Sequence, residues 1–390
     1  MDDDRWERAD RITAAGIAVF VCAFIGVTTH YAATAINNYV LLADAWLHGR
    51  SWIVYPGAWI DAVPYESHAY VVEAPMPAVL MLPLVAVYGA AANQNVLAAL
   101  LAAVAAATMY RFARSMADSR ADALLLAAFL LFGTSVMYGA MSGDVWLVAH
   151  LSALTFTLLA LLELNTKRRL WMVVLFGLAA ALSRYPLVLA LPVYVWLLRD
   201  QVRQLKPLAA AAAVALPVLA LWCAYNWTRW HTLYDPGFSI WHRVMDPRSK
   251  YASSAFSLTN LGPQLKQIFY EAPARLRSFP WFAPRPFGTG LIFVSTGLVV
   301  AVAVRARDRL VLPLIALVLL TAIPALLYYD GGGIQFGARH ALDFEPFLLA
   351  LIATSLRHEP RWWKRVLLAG SAAFAAYLLF VWRAVPGAVS

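Results

Sequence analysis

Apolar runs of nearly twenty residues return along the whole of this chain, and short basic clusters alternate between them. A run of that length matches the thickness of a bilayer's hydrocarbon core, where only a segment that satisfies its own backbone hydrogen bonds can cross. Such a chain has to fold as helices packed side by side in a membrane. Its composition agrees: 62% of the 390 residues are hydrophobic and only 14% are charged, well above the apolar share of soluble domains. The expected class is an all-α polytopic membrane protein in one domain covering 1–390.

The helices are expected at about 12–34, 94–112, 121–139, 145–163, 170–183, 186–199, 208–225, 289–304, 310–328, 341–356 and 366–383, roughly eleven spans. The first run lacks the compact apolar region and small-residue cleavage site of a signal peptide and reads as an uncleaved helix. Most of the 31 lysines and arginines fall on one side if the N-terminus is cytoplasmic, which is the orientation that the positive-inside rule favours. The other side then receives two long segments, 36–93 and 227–288, and any chemistry belongs there. Within the first, 76–90 reads as a helix lying at the interface, and "VPYESHAYVV" as a short hairpin with its turn near Ser67.

Charge and cysteine usage exclude other classes. The formal charge of +9 is dispersed over loop ends beside apolar runs, which suits anionic lipid headgroups and gives no continuous nucleic-acid surface. Cys22 and Cys223, the two cysteines, sit inside apolar runs, where a thiol behaves as a small hydrophobe. No cofactor is assigned, a divalent cation is the candidate where acidic loops converge, and the metal question stays open.

Ionisable residues at a membrane edge are costly enough to be functional candidates. Asp44 lies in "NNYVLLADAWLHGR", an amphipathic stretch along the outer surface, where it either faces a cavity or pairs with Arg50 or His48. Asp61, Glu66 and Glu73 follow in the same loop, Glu73 standing where the chain re-enters the membrane edge. Asp144 and His150 come from "MSGDVWLVAH", in which Asp144 either caps a helix or joins the first-loop acids around a ligand. Arg184 marks an outer turn, and Tyr225 and Arg229 lie among aromatics at the start of the second long segment. That segment carries eight Lys and Arg against Asp235, Asp246 and Glu271, a setting that favours a phosphate. In "YYDGGGIQFGARHALDFEPF" three glycines precede Gln335, Arg339, His340 and Asp343. Read as one helical stretch, Gln335, Arg339 and Asp343 share a face, with Arg339 either paired to Asp343 or held by it toward an anion.

This order of features resembles the GT-C superfamily of membrane glycosyltransferases, above all the branch of protein O-mannosyltransferases and lipid A aminoarabinose transferases. The likeness runs through "NNYVLLADAWLHGR", "YVVEAPMPAVLMLPL", "SGDVWLVAH", "ALSRYPLVLALP" and "GGGIQFGARHALDFEPF". It implies transfer of a hexosyl or pentosyl unit from a polyprenyl-phosphate donor to a lipid, glycan or protein acceptor of the cell envelope. It places the protein in a bacterial inner membrane with its active site on the periplasmic face. Relatives carry an Asp-Glu pair where this chain has Asn37 and Asn38, and a lysine where it has Ala74, and several have a large soluble C-terminal domain that is not seen here. The base is therefore open between Asp44 and Asp61. Asp144 is expected to orient base or acceptor, Arg184, Arg229 and Arg339 to hold phosphate, and Glu73, His150, Tyr225, Gln335, His340 and Asp343 to line the substrate site. A transporter or flippase of the lipid-linked sugar is the competing class, although the inverted repeats and midplane acids that would mark it are not evident.

Overall fold

The computed structural model describes residues 8–116, 119–245, 255–305, 308–359 and 361–385. Arg5, Asp246, Arg248, Lys250 and Arg307, counted above among the loop charges, lie outside the described residues. The chain opens with α1 (Arg8–Thr29) and the short α2 (Asn38–Leu47), then the antiparallel hairpin β1 (Ala62–Tyr65) and β2 (His68–Val71). Helices α3 (Met76–Tyr88), α4 (Gln94–Met116), α5 (Arg120–Phe132), α6 (Val136–Ser142), α7 (Val145–Asn165) and α8 (Leu170–Ala181) follow. A 3-10 turn at Tyr185–Ala190 leads into α9 (Leu191–Leu197), α10 (Arg199–Val202) and the long α11 (Leu205–Trp230). The second outer segment holds α12 (Phe238–Met245), α13 (Leu261–Leu265) and the small strands β3 (Ala274–Arg275), β4 (Phe282–Ala283) and β5 (Phe287–Thr289). The remainder is α14 (Leu291–Val294), a 3-10 stretch Thr296–Ala303, α15 (Val311–Leu327), β6 (Gln335–Gly337), α16 (Glu345–His358) and α17 (Trp362–Ala384).

Helical segments stand at each of the eleven expected positions. Among the described residues five helices, α1, α4, α7, α11 and α17, are long and apolar enough to cross a membrane, six if α5 and α6, bent by 51°, are counted as one span. The bend falls at Gly133, whose α-carbon lies so close to Phe129 that a side chain there would strike the ring. The core is built on α4 and α7, which are 72% and 83% buried along their apolar windows, whereas α11 is 6% buried and presents its apolar faces outward. Alanines explain the centre: Ala98, Ala102, Ala105 and Ala106 are wholly buried, so α4 and α7 pack against each other backbone to backbone.

The two ends of the bundle differ in kind. At one end the charges neutralise each other. Asp10, 2% exposed, accepts from Tyr110, Arg114 and Arg120; Arg365 grips Asp122 and Arg169 grips Glu163. These are closures between helix ends, in the loops read above as cytoplasmic. At the other end the hairpin, α2, α3, the 3-10 turn at Tyr185–Ala190 and the glycine-rich segment before α16 come together.

Candidate active site

Each acidic candidate of the first outer loop is placed by a different constraint. Asp44 is half-buried on α2 and faces its own helix end, with His48 Nδ1 and Arg50 Nη2 each 3.6 Å from its carboxylate. Among the described residues no hydrogen bond or ion pair joins it to the other acids. Asp61 precedes β1 and reaches across to the second outer loop, where its Oδ2 accepts from Trp146 Nε1 at 3.1 Å. Its Oδ1 takes no bond among the described residues. Glu73, where the chain leaves β2 for α3, is tied to Asp61 through one side chain: Asn38 Nδ2 donates to the Asp61 carbonyl at 2.9 Å and lies 3.4 Å from Glu73 Oε1. Glu73 Oε2 is shut off from solvent with no partner. Burial, reinforced by the neighbouring Asp61 charge, pushes the Glu73 carboxyl well above the usual glutamate range.

Asp144 occupies the N-cap of α7 yet makes no capping bond. Its two oxygens accept instead from Thr34 and Ser142, both at 2.5 Å, fastening the strand that follows α1 to the second loop. The loop acids therefore divide: Asp61 and Glu73 share a site, while Asp144 ties the loop beside it.

The stretch from Gln335 to Asp343 is not one helix. Gln335–Gly337 is β6, paired in parallel with β5 at Phe287 and Thr289, and Arg339–Asp343 is a 3-10 turn. The glycines decide this. Gly332 has φ +104°, a left-handed conformation that disfavours helix, and Asp330 accepts its amide at 2.9 Å. Gln335 then holds the loop shut, its amide donating to Gly331 O at 2.7 Å and Phe287 O at 3.2 Å while its Oε1 accepts from Arg339 N. Arg339 and Asp343 consequently part company. Asp343 is bound by Arg184, through Nε at 3.3 Å and Nη2 at 3.1 Å, and by His150 Nδ1 at 3.0 Å. Arg184 Nη2 also lies 3.2 Å from His340 Nδ1, and the His150 and His340 rings stand edge to face at 5.5 Å. Three separate elements thus meet in one buried knot.

Arg339 has no carboxylate at ion-pair distance among the described residues, Asp330 and Asp61 acting on it only from farther off. Its side chain is 8% exposed, its guanidinium carbon lies 5.1 Å from the centre of the Trp146 ring, and its Nε is buried and unpaired. The Gly332 backbone packs against it so closely that a side chain there would come within 3.1 Å of its guanidinium carbon. Trp146 thereby joins the two halves of the site, its indole N–H on Asp61 and its ring face on Arg339. Arg229 differs, because each of its three nitrogens is engaged: Nη1 on Val71 O at 2.8 Å, Nη2 on Asn226 at 3.0 Å and Nε on Tyr225 O. It clasps β2 to the end of α11, with its guanidinium 3.7 Å from the Tyr225 ring.

Sequence reading passed over Trp146, Asn38, Tyr39, Tyr185 and Gly332. Signals existed for two of them: Asn38 stands where relatives keep an acid, and a central glycine among three is where a left-handed residue is expected. Nothing local marks the others. Among the described residues no group of three or more His, Cys, Asp or Glu side chains is arranged to hold a metal ion.

Buried helices with short polar connections at one end, and long site-bearing loops with a hairpin and short helices at the other, define an all-α polytopic membrane protein. The chain matches the crystal structure of ArnT from Cupriavidus metallidurans bound to undecaprenyl phosphate, at a TM-score of 0.54 and 14% identity, over 95% of this chain and 64% of that one. This chain therefore spans just under two thirds of that neighbour's length. No protein-family model matches the sequence, and no curated protein matches it.

Proposed function

We propose that the protein is a glycosyltransferase of the bacterial inner membrane. It moves a hexosyl or pentosyl unit from a polyprenyl-phosphate donor to a lipid, glycan or protein acceptor on the periplasmic side. The observation that carries this reading is Arg339, a buried guanidinium with no carboxylate at ion-pair distance. A buried charge is tolerated when something neutralises it, and a phosphate presented from the membrane edge does so. The fold shared with a protein solved with undecaprenyl phosphate supports the same ligand class.

The chemistry follows from the placement of the groups. Arg339 and the unengaged Nη1 of Arg184 take the donor phosphate, Arg184 being held in register by Asp343. Asp61, facing Arg339 across Trp146, accepts the acceptor's hydroxyl proton at its free Oδ1. As that oxygen attacks the anomeric carbon, the carbon–oxygen bond to phosphate breaks, its electron pair leaves on the phosphate and the configuration inverts. The two guanidiniums stabilise the charge gathering there. Glu73 lies beside the sugar. Asp44 and Asp144 take no part in this scheme.

The test is reconstitution in liposomes with radiolabelled undecaprenyl-phosphate sugars and a cell-envelope extract as acceptor. Release of free undecaprenyl phosphate, coupled to label on a new acceptor, is expected from the native protein and lost in Asp61→Asn. Label crossing the bilayer with no new bond formed would instead make the protein a transporter.

A further inference from the structure

A second group of unsatisfied polar atoms lies next to the phosphate site. Tyr39 OH on α2, Glu73 Oε2 after β2, Tyr185 OH in the turn before α9, and Trp222 Nε1 and Tyr225 OH on α11 are each buried with no hydrogen bond of ordinary length among the described residues. These positions come from four separated parts of the chain, yet they are neighbours. Asn38, adjacent to Tyr39, reaches Glu73 at 3.4 Å; Arg229 bonds the carbonyl of Val71, two residues before Glu73, and lies against the Tyr225 ring. Tyr39, Tyr185 and Tyr225 all feel the Glu73 carboxyl, and the indoles of Trp222 and Trp46 approach the Tyr185 and Tyr225 hydroxyls closely enough for weak, long hydrogen bonds that leave most of each hydroxyl's capacity unused. Trp46 stands edge to face with Tyr225 at 5.5 Å and Phe238 with Tyr185 at 6.2 Å, so aromatic walls close the space.

Buried polar atoms are almost always paired in native proteins, and one left over calls for a partner. Tyr39 OH and Glu73 Oε2 with no partner, beside two tyrosine hydroxyls and an indole with capacity to spare, call for a ligand with several polar groups. A prenyl chain offers none. A phosphate offers mainly acceptors and meets a carboxyl. A sugar ring fits: its hydroxyls both donate and accept, as tyrosine hydroxyls do, an indole N–H gives a donor, and the C–H faces of the ring pack on aromatic rings. The charges of the sugar are constrained as well. Arg229 lies against the Tyr225 ring, so an ammonium group would enter beside a guanidinium. An anionic sugar would be placed against Glu73 and Asp61.

We infer that Tyr39, Glu73, Tyr185, Trp222 and Tyr225 form the glycosyl subsite, and that the sugar it takes is an uncharged polyol held with Glu73 as a hydrogen-bonding carboxyl rather than a counter-ion. The inference rests on the donor reading above and refines it to a substrate class.

The experiment is binding, measured by native mass spectrometry on the full chain in nanodiscs. Three probes are used: undecaprenyl phosphate, undecaprenyl phosphate glucose and undecaprenyl phosphate bearing a 4-amino-4-deoxypentose. The glucose-bearing probe is expected to bind about tenfold more tightly than the amino-sugar probe, the worth of one or two hydrogen bonds. Tyr185→Phe and Tyr225→Phe each lower affinity for the glucose probe about 5- to 10-fold and leave bare undecaprenyl phosphate unchanged, since only a sugar reaches those hydroxyls. Glu73→Gln keeps the glucose probe within about threefold, because the amide is of the same shape and still both donates and accepts hydrogen bonds. Tighter binding of the amino-sugar probe, loss of the glucose probe in Glu73→Gln, or full affinity in both phenylalanine variants overturns the inference. If bare undecaprenyl phosphate itself fails to bind, the donor reading falls. Hexyl glucoside then reads the pocket alone, and its failure to bind native protein better than Tyr185→Phe overturns the subsite too.

Discussion

Replacing Arg339 with methionine should make the empty protein more stable while removing its ligand. The guanidinium is 8% exposed with an unpaired Nε, and an unpaired ion held out of water costs several kcal/mol. Its contact with Trp146 at 5.1 Å returns about 0.5–2 kcal/mol as a cation–π interaction. Methionine keeps the stem and removes the charge, so a net gain of about 2 kcal/mol is expected for the unliganded chain. A phosphate loses two charge-assisted hydrogen bonds worth about 1.5–3 kcal/mol each, a fall in undecaprenyl phosphate affinity of about a hundred- to ten-thousandfold. The assay is thermal unfolding in detergent with and without undecaprenyl phosphate. Native protein starts lower and rises with ligand by mass action; Arg339→Met starts higher and does not move. A variant that unfolds earlier than native and still rises with ligand would refute the assignment of Arg339 as the phosphate's partner.

Asp61→Asn should cut transfer at least about a hundredfold, the usual contribution of a general base, with undecaprenyl phosphate binding intact in the same nanodisc assay. Gly332→Ala should lose transfer and about 1–3 kcal/mol of stability by urea or thermal unfolding, because φ +104° strains any side chain and the new Cβ would sit 2.8 Å from Gln335 Nε2 and 3.1 Å from Arg339 Cζ. Asp44→Asn should change unfolding by no more than about 1 kcal/mol and leave transfer unaltered, since its partners at 3.6 Å are a solvent-screened pair. The raised Glu73 carboxyl favours the folded state most at low pH. That contribution is present below the ordinary glutamate range and disappears as pH climbs through the folded value. Melting curves from pH ~4 to ~9 should therefore show native protein weakening with rising pH relative to Glu73→Gln; a parallel profile for the two would contradict it.

Fold class was legible because bilayer thickness dictates run length: the spans, the hairpin turning at Glu66 and Ser67 and the helix at 76–88 follow from period and punctuation alone. Pairing was not. Asp343 and Arg339 are four apart and suggest an ion pair, but three glycines, one of them left-handed, replace the helix that would have brought them together, and Arg184 from 159 residues away takes the carboxylate instead. Asp44 has the more conspicuous context in sequence, since a lone acid in an apolar stretch draws notice. Asp61 looks like an ordinary loop acid until Trp146, from another connection, is seen to bond it. Contacts between loops carry no periodic signature, so the acids could be nominated but not sorted. Tyr39, Tyr185 and Trp222 were invisible for a related reason: an aromatic at a membrane edge is expected anyway, and only the lack of a partner for its polar atom sets it apart.

The clasp made by Arg229 has a mechanical meaning for the first loop. One side chain rivets the hairpin, with Asp61 and Glu73 at its two ends, to the last turn of a long apolar helix, so any shift of that helix is passed to both acids at once.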